Sequence, residues 1–577
     1  MGFYLSPLVD INEVDLSTTV PAVATSIAVE ILRGTYKGPE RKKTLITNID
    51  QLINKFGEPT DIAACYQDIL SAIGYLRYGN MLYCTRTMPT SATFAGTKAA
   101  SGGEATFVPF TSSGAYILSD FSNEDPDDFA DYVTWAGNEP MQFIANSRGV
   151  WGNKIRIIVV SKEDYDDINE GSNSTWDTYE AISDVDSPLD SDEEFLVIVQ
   201  ICPQSSDSSD ENSWNVEEVW NVSTNENKMN DQGENIFCET TINQQSNYIR
   251  MAIASAFKNT DNTMTNDEFQ TFGGGADDNG DAITDALVED DLDLYKNPEE
   301  IDVNIFIDSN KSTEVKQYIS TICKTERKDS IGLLDCERSD VINNTGSEAT
   351  SLRTSILSLN ENTSYCAFYG NWLEIYDRWN NKYRWIPASG YAAGIVANTD
   401  DLTDPWFAPA GLNRAILMNV RKLAWNPTLG ERNILYKNGI NPIVSFAGLG
   451  KVIWGQKTLL AKNSAFNRLN VRRLFLVLEK AISTACKYFL FEPNDDMTRM
   501  LLFDMIEPFL RDVKARRGIY EYRIVCDDAN NTPERIDRNE LWVDIYVKPT
   551  KTAEFIVLNF IATKTGASFS EIAVAAA

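Results

Sequence analysis

The chain has 577 residues, of which 43% are hydrophobic and 11% aromatic, and it carries a net charge of −33. At ~100–200 residues per domain, this composition implies several folded domains with ample core rather than a disordered chain. Histidine is absent, which excludes Ser–His–Asp and Cys–His nucleophile sites, HExxH zinc sites and imidazole acid–base catalysis together.

Residues 1–22, with Tyr4 and Leu5 near their start, mix apolar and acidic residues with few helix signals. They suit an extended arm. The opening lacks the basic and long apolar regions of a signal peptide. Residues 27–32 read as a strand. Thr60 or Asp61 is expected to cap a helix whose apolar face is Ile62, Cys65, Tyr66, Ile69, Ile73 and Leu76, at helical spacing. A strand over 81–86 completes a strand–helix–strand unit.

After about residue 95, Gly, Ser, Thr, Asn and Asp dominate. Short strands are predicted at 155–160, 195–201 and 216–222, with solvated loops at 183–194 and 205–213. A helix is predicted over 248–257. Residues 101–300 hold 43 acids and 8 bases, whereas the rest of the chain holds 41 acids and 43 bases. One stretch therefore carries the acidic excess, as a solvated surface insertion would.

Residues 301–308 read as a strand, Ser312 caps a helix through about 323, and 330–335 is another strand. This β-α-β order argues for a parallel, covered sheet. Farther on, a helix at 470–488 presents Leu474, Phe475, Leu478, Ile482 and Ala485 on one stripe. A second helix, 495–515, is capped by Asn494 or Asp495 and ends in Arg511, Lys514, Arg516 and Arg517. Strands are predicted at 520–526, 540–548 and 554–562. The last contains Phe555, Ile556, Val557 and Leu558, and such an edge is an aggregation liability unless another chain covers it.

No motif carries catalysis. The nine cysteines form no CxxC pair and read as buried reduced thiols. Gly448-Leu449-Gly450-Lys451 lacks the Walker spacing. In 277–281 the first calcium-ligand position falls on Gly275, so an EF-hand fails. Acid pairs such as Asp335/Glu337 and Asp495/Asp496 are unavoidable among 84 acids. The bases at Arg472-Arg473 and 511–517 do not interleave with aromatic residues, and the overall acidity opposes nucleic acid. The apolar runs are too short to span a bilayer, and neither cofactor, metal nor membrane anchoring is expected.

A colinear set of short motifs is more informative. It starts with Phe56-Gly57-Glu58-Pro59-Thr60 and Gly79-Asn80, and continues with Ile386-Pro387-Ala388-Ser389-Gly390, Ala393-Gly394 and Trp406-Phe407-Ala408-Pro409-Ala410. Asn438-Gly439-Ile440-Asn441-Pro442-Ile443 follows, then Gly448 to Gly455, Arg472-Arg473, Phe491-Glu492-Pro493-Asn494-Asp495 and Asn530-Asn531-Thr532-Pro533. In order and spacing this set resembles the contractile tail sheath proteins of myophages. It covers the first 95 and the last 200 residues well, and the middle poorly.

The resemblance implies a structural subunit of the phage tail, assembled in the host cytoplasm. Many copies form stacked rings in a helical homo-oligomer around a tail tube protein, with baseplate and tail terminator proteins as further partners. Contraction follows a baseplate trigger. The fold class expected is α/β and α+β multidomain. It comprises an N-terminal arm (1–22), an α/β domain (23–95 plus 246–366), a β-rich acidic insertion (96–245), a sheath-like core (367–563) and a C-terminal arm (564–577). Tyr4, Leu5 and Phe555 to Leu558 are the expected inter-subunit arm strands. Arg511, Lys514, Arg516 and Arg517 are the expected tube-facing contacts. The sheath of a phage-derived injection or secretion system, a receptor-binding adhesin built on the insertion, and a carboxylate hydrolase are the alternative readings.

Overall fold

The computed structural model describes residues 26–99, 107–110, 133, 139–163, 165, 189–261, 269–277 and 282–558. Two compact units divide the chain between Lys487 and Tyr488. The arms at 1–22 and 564–577, with Tyr4 and Leu5, lie outside the described residues.

The larger unit begins with β1 (Ala28–Arg33), β2 (Thr44–Ile46), α1 (Ile49–Phe56), α2 (Ala63–Leu76) and β3 (Leu82–Thr87). The expected cap at Thr60 or Asp61 does not form, and α2 starts without a side-chain cap. Asp61 is instead drawn to Arg384, 2.7 Å away, and Lys382, 3.1 Å away.

The chain then enters the insertion. Its strands are β4 (Gly96–Ala99), β5 (Phe107–Pro109), β6 (Met141–Ala145), β7 (Ile155–Ser161), β8 (Glu194–Ile201) and β9 (Asn215–Ser223). Helix α3 (Cys238–Gln245), β10 (Ile249–Ile253) and β11 (Gln270–Thr271) follow. Two four-stranded sheets form, ordered β10-β6-β4-β5 and β11-β7-β8-β9. Phe143, Trp151, Ile157, Val197 and Met251 share one apolar core between them. The helix expected over 248–257 is therefore strand β10, antiparallel to β6 and buried throughout. Pairing with a strand a hundred residues away overrides local preference. The insertion also runs farther than 96–245. Its ends meet where the Thr93 amide donates to the Ala276 carbonyl at 2.9 Å.

The first body resumes with α4 (Asp285–Asp293), β12 (Ile305–Ile307), α5 (Thr313–Thr321), β13 (Ile331–Asp335), α6 (Glu348–Leu359) and β14 (Cys366–Tyr369). The Ser312 hydroxyl caps α5, as the sequence predicts. The strand expected over 301–308 covers only its last part. Next come β15 (Leu373–Asp377), β16 (Lys382–Ile386), α7 (Ser389–Leu402), β17 (Val420–Leu423), α8 (Leu429–Lys437) and β18 (Ile440–Asn441). Hairpin strands β19 (Ile443–Phe446) and β20 (Gly450–Ile453) and helix α9 (Leu469–Cys486) complete the unit.

The central sheet has seven strands, ordered β18-β14-β13-β12-β1-β3-β2, parallel except for β2. It crosses the domain boundary expected at 366/367, because β14 and β18 belong to it. Alternation along each strand feeds two cores. Ala28, Leu32, Ile305 and Leu333 face α1, α2 and α7, whereas Val29, Ile31, Phe306 and Leu334 face α4, α5 and α6. Burying each such aliphatic side chain contributes about 1.5–3 kcal/mol. Helices α2 and α7 pack closely because a Cβ on Gly390 would overlap the Ser71 carbonyl, and one on Gly394 would meet Tyr78. The Pro-x-Ser-Gly…Ala-Gly motif is thus a helix-crossing motif.

The smaller unit carries α10 (Asp496–Ala515), β21 (Ile519–Val525) and β22 (Asp544–Pro549). Its core is Leu502, Met505, Ile506, Leu510, Val513 and Ile519. The strand expected over 554–562 is not formed in its described part, since residues 551–558 have no regular structure.

Candidate assembly surfaces

In the smaller unit, the Asp495 carboxylate accepts from the Thr498 amide at 2.9 Å and starts α10. The helix ends where Arg517 takes a φ of 69°. Among the four bases expected there, two are held within the helix. Arg511 lies 3.8 Å from Glu507 and Arg516 3.6 Å from Asp512. The Lys514 ammonium sits 5.8 Å from the Tyr522 ring centroid. All four side chains are exposed. The patch is present, but Glu507 and Asp512 offset part of its charge.

Strands β21 and β22 pair antiparallel with each other. Among the described residues neither has a second strand partner, so both outer edges of this ribbon are open. Close by in sequence, Phe555, Ile556, Val557 and Leu558 are 86%, 77%, 81% and 72% exposed. Four consecutive apolar residues bare to solvent, a few residues after an open ribbon in sequence, call for a covering partner. Sequence reasoning missed the outer face of α10, where Met497, Met500 and Leu501 are exposed opposite the core-facing residues. The signal was a helix with apolar residues on more than one face.

In the larger unit, the carboxyl ends of the parallel strands are where α/β enzymes bind ligands. Here they are closed by the chain's own side chains. The Lys311 ammonium donates to Glu30 at 2.8 Å, and the Ser309 hydroxyl donates to the other oxygen of Glu30 at 2.8 Å. Burial outweighs the pull of Lys311 and pushes the Glu30 carboxyl up to about 8. One oxygen of Asp335 accepts from the amides of Ala388 and Ser389 at the start of α7, at 2.9 and 2.8 Å. Burial, and then Asp308, push Asp335 up to about 7. Glu337 pairs with Lys316 at 2.7 Å. The Asp335/Glu337 pair is thus split between a helix cap and a salt bridge.

The Arg472-Arg473 pair is also structural. Arg473 donates to Asp400 at 2.6 Å, and Arg472 lies 4.4 Å over the Tyr365 ring, both largely buried. The Gly448–Gly450 segment is the turn of the β19–β20 hairpin. Asp277 accepts from the Val150 amide at 2.9 Å, as an ordinary turn residue does, and residues 278–281 lie outside the described ones. Of the nine cysteines, seven are buried and all are free thiols. No helix among the described residues is long and apolar enough to cross a membrane.

Residues 301–459 match the phage tail sheath protein central domain, and residues 461–563 match the phage tail sheath C-terminal domain. The tail sheath protein of Vibrio phage KVP40 is 38% identical over 384 residues, an alignment covering 62% of this chain and 55% of that protein. The chain thus spans little more than half the length of this relative. The tail sheath protein of Enterobacteria phage T4 is 28% identical over 674 residues, covering 98% of this chain and 99% of that protein. Among solved structures, the sheath tail protein Lin1278 from Listeria innocua superposes with a TM-score of 0.52 at 12% identity, covering 92% of this chain and 96% of that one. That likeness bears on the fold alone.

Proposed function

We propose that this chain is a member of the phage tail sheath family and the repeating subunit of a contractile tail sheath that drives a tail tube through the host envelope. The observation that carries this reading is the near end-to-end alignment with the T4 tail sheath protein, together with the central and C-terminal sheath domains in their proper order. The work is mechanical. An assembled, kinetically trapped polymer shortens on a baseplate signal, and neither catalysis nor a cofactor is required.

Assembly uses the open edges of the β21–β22 ribbon. The N-terminal arm with Tyr4 and Leu5, and the C-terminal segment with Phe555, Ile556, Val557 and Leu558, add as strands to ribbons of neighbouring copies. A head-to-tail interface that does not close on itself then propagates as a helix. Arg511, Lys514, Arg516 and Arg517 face the tail tube through weak, repeated ion pairs, each contributing about 0–1 kcal/mol. The baseplate and the tail terminator bind the two ends of the polymer. Assembly takes place in the host cytoplasm, and the product is part of the virion.

Negative-stain microscopy of the purified chain, alone and with tail tubes, tests the reading. Tubes or stacked rings are expected. A monomer at every concentration and salt level, with and without tubes, would rule it out.

A further inference from the structure

Strands β16, β15 and β17 form a small sheet with β15 in the centre. One face, with Leu373, Ile375 and Leu423, enters the core. The other face is of a different kind. Tyr376 stands opposite Tyr383, with ring centroids 5.3 Å apart. The Arg421 guanidinium lies 4.1 Å over the Tyr383 ring, and the Lys422 ammonium 5.2 Å from the Trp385 ring. Both cations share a single carboxylate, Glu374, at 3.3 and 3.4 Å. Tyr376 and Tyr383 are 48% and 54% exposed.

Half-exposed tyrosines beside cations stacked on Tyr383 and Trp385 match the composition of interface hot spots. Stacking restrains the long cationic side chains before any partner arrives, which lowers the entropy cost of binding. Two cations to one acid leave the face positive. It therefore fits an acidic surface with apolar side chains between its carboxylates.

Such a surface exists on the chain itself. The sheet lies outside residues 101–300, which carry 43 acids against 8 bases. Within that stretch, β9 is an edge strand whose strand partner is β8, with one further bridge at its end from Ser223 to Phe237. It exposes Val216, Glu217 and Val219, with Glu218 half-buried between them. Two adjacent carboxylates, Glu217 and Glu218, thus stand between two exposed aliphatic side chains, a charge and apolar pattern complementary to cations beside exposed rings.

We propose that the β15–β16–β17 face docks the acidic edge strand β9 of a second copy of this chain. The inference rests on the sheath reading, which brings the second copy within reach. The acidic insertion then contributes to subunit association as well as to surface charge.

The test uses the full chain with Tyr383 replaced by p-benzoylphenylalanine, irradiated after polymerisation. Cross-links to residues 211–223 of another copy are expected. Cross-links only to tail tube protein, or only outside 189–261, overturn the proposal. In parallel, the triple variant E374Q/R421Q/K422Q removes the charges without stranding Glu374. Its critical concentration for polymerisation is expected to rise at least tenfold, as is that of Glu217→Lys, and the triple variant to lose much of its salt dependence. Unchanged values for both variants overturn the proposal. A wild-type chain that forms no polymer overturns the sheath reading as well, so the two failures are distinguishable.

Discussion

Lys311 and Glu30 meet beneath the carboxyl edge of the central sheet, ammonium to carboxyl at 2.8 Å, with both side chains buried. Lys311 also donates to the Asp308 carbonyl at 2.8 Å. Lys311→Met removes the donor from two buried acceptors, each such loss costing about 1–3 kcal/mol. The first thermal transition of the purified subunit is expected to fall by several degrees. Adding Glu30→Leu should restore much of the loss, because a buried pair replaced by apolar residues is often neutral.

Stability should fall as pH rises. Glu30 and Asp335 have folded-state values of about 8 and 7, raised by burial from 4.5 and 3.8. A carboxyl whose folded value lies above its unfolded one holds its proton longer in the folded state. Its stabilisation is complete below the unfolded value and is lost as pH climbs through the folded value, at about 1.4 kcal/mol per pH unit per group within that window. Calorimetry between pH 5 and 9 should show a falling melting temperature. Glu30→Gln and Asp335→Asn together should flatten the profile, since the asparagine oxygen still accepts from Ala388 and Ser389.

The insertion should be separable from the body that carries it. Its ends meet at Thr93 and Ala276, and its two sheets share a core of their own. Replacing 94–275 by a short Gly/Ser linker should leave a folded, soluble remainder. The main loss is Arg148, which lies beside Glu40 and whose carbonyl accepts from the fully buried Arg86 at 2.9 Å. Adding Glu40→Gln should raise the melting temperature of the excised chain. Insoluble aggregate with no cooperative transition would show that the insertion is needed for folding.

Removal of the chain ends should separate folding from assembly. Deleting 1–17 or 564–577 is expected to leave the melting temperature within 2–4 °C of the parent, about 1 kcal/mol, while abolishing tubes in micrographs. Normal tubes from both truncations would remove the arms from the mechanism.

The basic end of α10 should act through charge. Changing Lys514, Arg516 and Arg517 together to Glu is expected to abolish co-assembly on tail tubes at low salt. Single changes should act weakly, because Arg516 already lies beside Asp512 and exposed pairs contribute little. Co-assembly with unchanged salt dependence would show that these residues do not face the tube.

The sequence by itself determined the features that arise from neighbouring residues. Helical spacing marked α2 and α9, the Ser312 hydroxyl marked the start of α5, and residue counts marked the acidic stretch. The colinear motifs pointed to the family, and the central helix-crossing glycines, Gly390 and Gly394, were among them. The tertiary structure decided what depends on distant partners. Ile249 to Ile253 became a strand because β6 lay open beside it, not because of local preference. Asp61 left its capping position for Arg384. Arg472 and Arg473, whose burial no neighbouring residue signals, were held against Tyr365 and Asp400. The sheet continued through the boundary expected at 366/367 because strand order is set by which edges remain unpaired, and that is not visible along the chain. Likewise, the residues from Phe555 to Leu558 have strand-like side chains but form no regular structure among the described residues.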